Sequence, residues 1–99
     1  MIRHTVVFTL KHPRGSDEEK KFLKDALVLA EIPTVRQFER LRQVSSKNDY
    51  AFGFSMEFDD QAAYSTYNDH PLHQGFVRDR WMVEVSAFME VDYIPLADE

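Results

Sequence analysis

Tyr50-Ala51-Phe52-Gly53-Phe54-Ser55-Met56-Glu57-Phe58 alternates a large apolar side chain with a small or polar one at every step. Period two marks a β-strand whose two faces meet different surroundings. Tyr50, Phe52, Phe54, Met56 and Phe58 form a broad apolar face that has to be covered. Ala51, Gly53, Ser55 and Glu57 form the other, and small residues on a central strand let a second sheet approach closely.

Outward toward the C-terminus, Asp59-Asp60 caps a helix that carries Ala63, Tyr64 and Tyr67 on one side. Pro71 disfavours helical backbone at His70 and suits the first position of a new helix, so one helix ends near Asp69 and another starts at Pro71. The second carries Leu72, Gly75, Phe76 and Val77 and ends between Trp81 and Glu84. A last strand runs from about Val85 to Tyr93, with Val85, Ala87, Met89, Val91 and Tyr93 on one face. Pro95 and the acidic Ala97-Asp98-Glu99 read as a short tail.

Outward toward the N-terminus, Thr34 to Val44 fits either a helix or a strand by spacing. Its place between Pro33 and the polar loop Ser45-Ser46-Lys47-Asn48-Asp49 favours a hairpin arm. Ser16 and Glu19 form a capping box for a helix with Phe22, Leu23, Ala26, Leu27 and Ala30 on its apolar face, stopped by Pro33 after Ile32. His12-Pro13-Arg14-Gly15 is a turn, with His12 an exposed loop residue. Ile2 to Lys11 alternates again, placing His4 with Ile2, Val6, Phe8 and Leu10 on the more apolar face.

The order strand, helix, strand, strand, helix, strand is the ferredoxin-like α+β pattern, an antiparallel sheet with helices on one face. Helices cover the aromatic face. Thr5, Val7, Thr9, Ala51, Gly53 and Ser55 are left uncovered in a monomer, and packing two such faces about a twofold axis makes a dimeric α/β barrel.

The 99 residues amount to one domain, 1–99, small enough that self-association is expected to add burial. A net charge of −5 without a basic run argues against nucleic acid. No stretch has membrane-spanning length or the layout of a signal peptide, so a cytoplasmic protein is expected. The chain has no cysteine, which excludes disulfides, thiolate ligands and a cysteine nucleophile.

Titratable chemistry concentrates in Tyr67-Asn68-Asp69-His70-Pro71-Leu72-His73. His73 falls in the first turn of the new helix, where free N–H groups and the helix dipole favour a neutral imidazole, able to act as a base. His4 reads on its own as a partly buried strand-end histidine, and gains a functional meaning only if another polar group converges on it. Asp69, His70 and His73 offer metal ligands, but Pro71 separates the histidines and no ligand spacing is matched, so no metal is assigned.

His4-Thr5-Val6-Val7-Phe8, Ile32-Pro33, the aromatic strand around Phe54 and Phe58, His70-Pro71-Leu72-His73 and the terminal Phe88 to Tyr93 together resemble the stress-responsive dimeric α/β-barrel family, Dabb. The resemblance covers nearly the whole chain. Its best-understood kind of member is a plant polyketide cyclase, in which a histidine after the His-Pro pair is the general base of an aldol cyclisation. A tyrosine before that pair and a histidine on the first strand assist it. Carried over by position, these roles fall on His73, Tyr67 and His4. The resemblance implies a homodimer, a pocket for a small aromatic or polyketide-like carbonyl compound, and no cofactor.

His70, Tyr64, Phe54 and Phe76 are expected to contact the substrate. The alternative is a non-catalytic ligand-binding or stress-protective homodimer in which His70 caps the helix break, His73 bonds a backbone group, and Tyr64 and Tyr67 fill the core. An enzyme needs a cavity reaching His4, Tyr67 and His73 together, whereas in a packing role aromatics fill that space.

Overall fold

A computed structural model describes residues 1–97, and the acidic end expected at Asp98 and Glu99 lies outside the described residues. The strands are β1 (Ile2–Leu10), β2 (Arg36–Arg42), β3 (Phe52–Phe58) and β4 (Val85–Tyr93). The helices are α1 (Asp17–Asp25), α2 (Gln61–Asp69), α3 (Pro71–Phe76) and the single turn α4 (Met82–Glu84). One antiparallel sheet orders the strands β2-β3-β1-β4, the ferredoxin-like arrangement. Among the described residues, no helix is long and apolar enough to cross a membrane.

Alternation on β1 and β3 decides the layers. Val6, Phe8 and Leu10 are buried with Phe52, Phe54, Met56 and Phe58 against the helices. Phe8 is the hub of this core, its ring 4.7 Å from Phe54, 4.9 Å from Trp81 and 5.9 Å from Phe22. Burying one such side chain fully contributes about 1.5–3 kcal/mol. Tyr50, expected on this face, lies before β3 begins, its N–H held by the Asn48 side chain at 3.0 Å.

The capping box forms with one change. Ser16 Oγ accepts from the Glu19 N–H at 3.2 Å, but the Glu19 carboxylate accepts from the Gly15 N–H at 3.0 Å. The Ser16 N–H is already bonded to the Pro13 carbonyl at 3.1 Å, so Glu19 reaches one residue further back. Beyond Asp25 the helix tightens into a 3₁₀ segment, Ala26–Glu31. Ala26, Leu29 and Ile32 recur every third residue and are all buried, a spacing that a helix with three residues per turn keeps on one face. Leu27 and Ala30, expected on that face, are exposed instead.

β4 departs from expectation through a register shift at Thr9/Leu10. Ala87, Met89, Val91 and Tyr93 pair with Thr9, Val7, Thr5 and Arg3 on the open face, whereas Val85 pairs with Leu10 and packs against the core. The irregularity moves Val85 to the other face from the residues it was grouped with, as one extra residue does in a period-two element. Phe88, Glu90 and Asp92 consequently point to the helical side, opposite Phe8, Val6 and His4.

His12 is not a free loop residue. Its Nε2 lies 2.7 Å from Glu84 Oε1, Arg80 bonds both Glu84 and Asp25, and Lys21 reaches Asp25 at 2.8 Å. This network ties the turn after β1 and the end of α1 to the segment that feeds β4.

Candidate functional site

The break between α2 and α3 sets the site. His70 adopts extended backbone (φ −67°, ψ 137°), and its Nδ1 accepts from the Leu72 N–H at 3.1 Å, so the imidazole is the N-cap of α3. Pro71 occupies the first helical position, where no N–H is needed. The turn brings His73 back over α2, its ring 4.3 Å from that of Tyr67. After Phe76 the backbone widens into a π-helical stretch, Val77–Trp81, which carries Val77 and Trp81 onto the same wall.

A cavity of about 220 Å³ lies between these helices and the covered face of the sheet. His4, Tyr67 and His73, far apart in sequence, all line it, and so do Phe54 and Phe76. Two of the expected substrate contacts do not. His70 is occupied with capping. Tyr64 stands behind His4, stacked on Phe58 at 4.8 Å, because its position one turn before Tyr67 directs it toward the end of β4.

There Tyr64 meets a partner that sequence reasoning passed over. His4 Nδ1 lies 2.5 Å from Asp92 Oδ1, and the Tyr64 hydroxyl donates to Asp92 Oδ2 at 2.8 Å while lying 2.8 Å from His4 Nδ1. The carboxylate accepts from both, which puts a proton on Nδ1 of the buried His4. Glu90, the other acidic residue on this face of β4, lines the cavity itself, with Asn68, Trp81 and Phe88. The signal for Asp92 and Glu90 was present as two carboxylates at i, i+2 in a strand, but which face of β4 meets the helices is set by its pairing with β1.

His73 has a defined tautomer. Its Nδ1 is 3.1 Å from the backbone carbonyl of Asn68, and a carbonyl only accepts, so Nδ1 carries the proton and the Nε2 lone pair is free in the neutral ring. Burial, with the nearby His4 acting in the same direction, holds its pKa below the ordinary value of 6.5, while the Asn68 carbonyl and the charge of Glu90 act the other way. Neutrality was expected from the helix dipole; burial is a cause that this expectation did not include. Burial, followed by the charge of Glu90, pushes the Tyr67 phenol well above its usual range, which keeps it a hydrogen-bond donor. Among the described residues, the Tyr67 hydroxyl has no hydrogen-bond partner, and no three His, Asp or Glu side chains are grouped to hold a metal ion.

Residues 2–95 match the family described as the stress responsive A/B barrel domain, Dabb. Among solved structures, a Dabb family protein of ferredoxin-like fold from Mesorhizobium loti is 65% identical, with 97% of each chain covered and a TM-score of 0.96. A dimeric ferredoxin-like protein of unknown function from Thermobifida fusca is 18% identical over 93% of this chain and 88% of its own, with a TM-score of 0.77. A hydroxynitrile lyase from Passiflora edulis is 12% identical over 99% of this chain and 95% of its own, with a TM-score of 0.82. At these last two identities the likeness is one of fold. No curated protein matches the sequence. With nearly its whole length matched, the chain belongs to the stress-responsive A/B barrel domain family.

Proposed function

We propose that the protein is a homodimer whose cavity binds a small, mainly apolar carbonyl compound, and that His73 removes a proton beside the carbonyl without a cofactor. The observation that carries this is the His73 tautomer: the Asn68 carbonyl engages Nδ1–H and leaves a basic Nε2 on a ring that lines the cavity. The proton from the α-carbon passes to Nε2, and the electron pair of the broken C–H bond moves onto the carbonyl as an enolate. Tyr67, held protonated by burial, supplies a hydrogen bond to that oxyanion. His4, oriented by Asp92 and Tyr64, fixes the far end of the ligand.

Size narrows the ligand. A cavity of about 150 Å³ takes up benzene, so about 220 Å³ suits one ring with a short substituent. The lyase of Passiflora edulis has this fold, and a lyase reaction that begins with proton removal belongs to the same class of acid/base chemistry. Dimerisation is supported by the uncovered sheet face, where Leu41 and Met89 are 46% and 50% exposed, and by dimeric proteins of like fold. The alternative, binding without turnover, draws on the structural bonds of His70 and His73.

The test is exchange of the acetophenone methyl protons in D₂O, followed by NMR. The parent accelerates exchange, and His73→Ala loses about 10²- to 10⁴-fold of that acceleration, the usual contribution of a positioned base. Binding of acetophenone without accelerated exchange would establish the non-catalytic alternative.

A further inference from the structure

We propose that the cavity selects a ligand bearing an amine as its ammonium ion and rejects carboxylates, with Glu90 as the residue that discriminates. The inference rests on reading the cavity as a small-molecule site and names the charge class it takes.

Glu90 pairs with Val6 across the sheet and so projects from β4 to the helical side, where it lines the cavity. Among the described residues, its carboxylate makes no hydrogen bond or ion pair, although its charge is felt at both Tyr67 and His73. Asp92, next on the same face of β4, adds a second acidic group behind His4. Among the described residues, no Lys or Arg lines the cavity. The arginines on the adjoining helical segment are already committed, Arg78 to Asp79, and Arg80 to Glu84 and Asp25.

The remaining walls carry the rings of Phe54, Tyr67, Phe76, Trp81 and Phe88. Aromatic faces and an unpaired carboxylate attract an ammonium group, whereas a ligand carboxylate would lose water beside Glu90 and gain no cation. A bound ammonium also disfavours protonation of His73, which preserves the base. Glu90 is exposed at the mouth of the cavity, so solvent screens its charge and the discrimination is modest.

The experiment compares 2-phenylethylamine, 2-phenylethanol and phenylacetate, probes of similar size, by NMR titration of the parent at neutral pH and low salt. The amine is expected to bind about fivefold to tenfold more tightly than the carboxylate, the scale of gaining one partly exposed ion pair and avoiding one repulsion. Glu90→Gln is expected to remove most of that difference while weakening the alcohol much less, and added salt to narrow the preference in the parent. Phenylacetate binding as tightly as the amine, or a preference that survives Glu90→Gln, overturns the proposal. If the alcohol binds and charge makes no difference, the proposal falls while the small-molecule cavity stands; if none of the three binds, both fall.

Discussion

His73 combines a free Nε2 with a depressed pKa, and the second property has a consequence for the fold. Burial favours the neutral ring, so the folded-state pKa lies below 6.5 while the unfolded chain keeps the ordinary value. The unfolded state then binds more protons on acidification. The contribution of this ring to stability is therefore fully present above pH 6.5 and is lost as pH falls toward the folded-state pKa. Taking the protein from about pH 7.5 to about pH 5.5 is predicted to lower the melting temperature of the parent more than that of His73→Gln, which carries no titrating ring. Equal losses in thermal melts of the two proteins would mean that His73 is as well solvated in the fold as out of it.

Among the elements, the helix break shows what local sequence decides. Pro71 stops α2 and His70 caps α3, so the reading of Tyr67 to His73 placed the corner correctly from proline chemistry alone. His70→Ala is predicted to cost about 0.5–2 kcal/mol in chemical denaturation, with His70→Asn recovering most of it because asparagine caps as well. Were both variants to lose affinity for a cavity ligand without losing stability, His70 would belong to the binding wall after all. β4 shows the opposite case. Its apolar residues Ala87, Met89, Val91 and Tyr93 were correctly grouped, but the register shift beside Leu10 and the pairing with β1 turn that group outward. Asp92 and Glu90 face the helices as a result. Pairing register is a tertiary property, which alternation within one strand does not contain, and this is why the convergence of His4, Tyr67 and His73 on one cavity was expected and that of their acidic neighbours was not. The 3₁₀ segment was missed for a related reason: Ala26, Leu29 and Ile32 also suit an α-helix until the core selects the tighter winding.

At the scale of the whole molecule, the sheet has a covered face that holds the core and cavity and an open face of Thr5, Val7, Gly53 and Ser55 flanked by the exposed Leu41 and Met89. Two layers were readable from β3 alone because its faces differ so much in size. A Cβ at Gly53 would meet Val6 O at 3.4 Å, an ordinary contact, so a side chain there is tolerated within the chain and projects into whatever covers the sheet. Gly53→Phe is predicted to weaken the homodimer by about 1–3 kcal/mol through overpacking. Sedimentation velocity should show a shift toward monomer at micromolar concentration; an unchanged dimer would assign the interface elsewhere. The central claim is that a ligand-sized cavity joins His4, Tyr67 and His73, and its most direct test is a crystal structure of the protein soaked with acetophenone. The account predicts the ring among Phe54, Phe76 and Trp81, the carbonyl oxygen within hydrogen-bonding distance of the Tyr67 hydroxyl, and the methyl carbon facing His73 Nε2. A cavity closed by the chain's own aromatic side chains, with no acetophenone against His73, would contradict it.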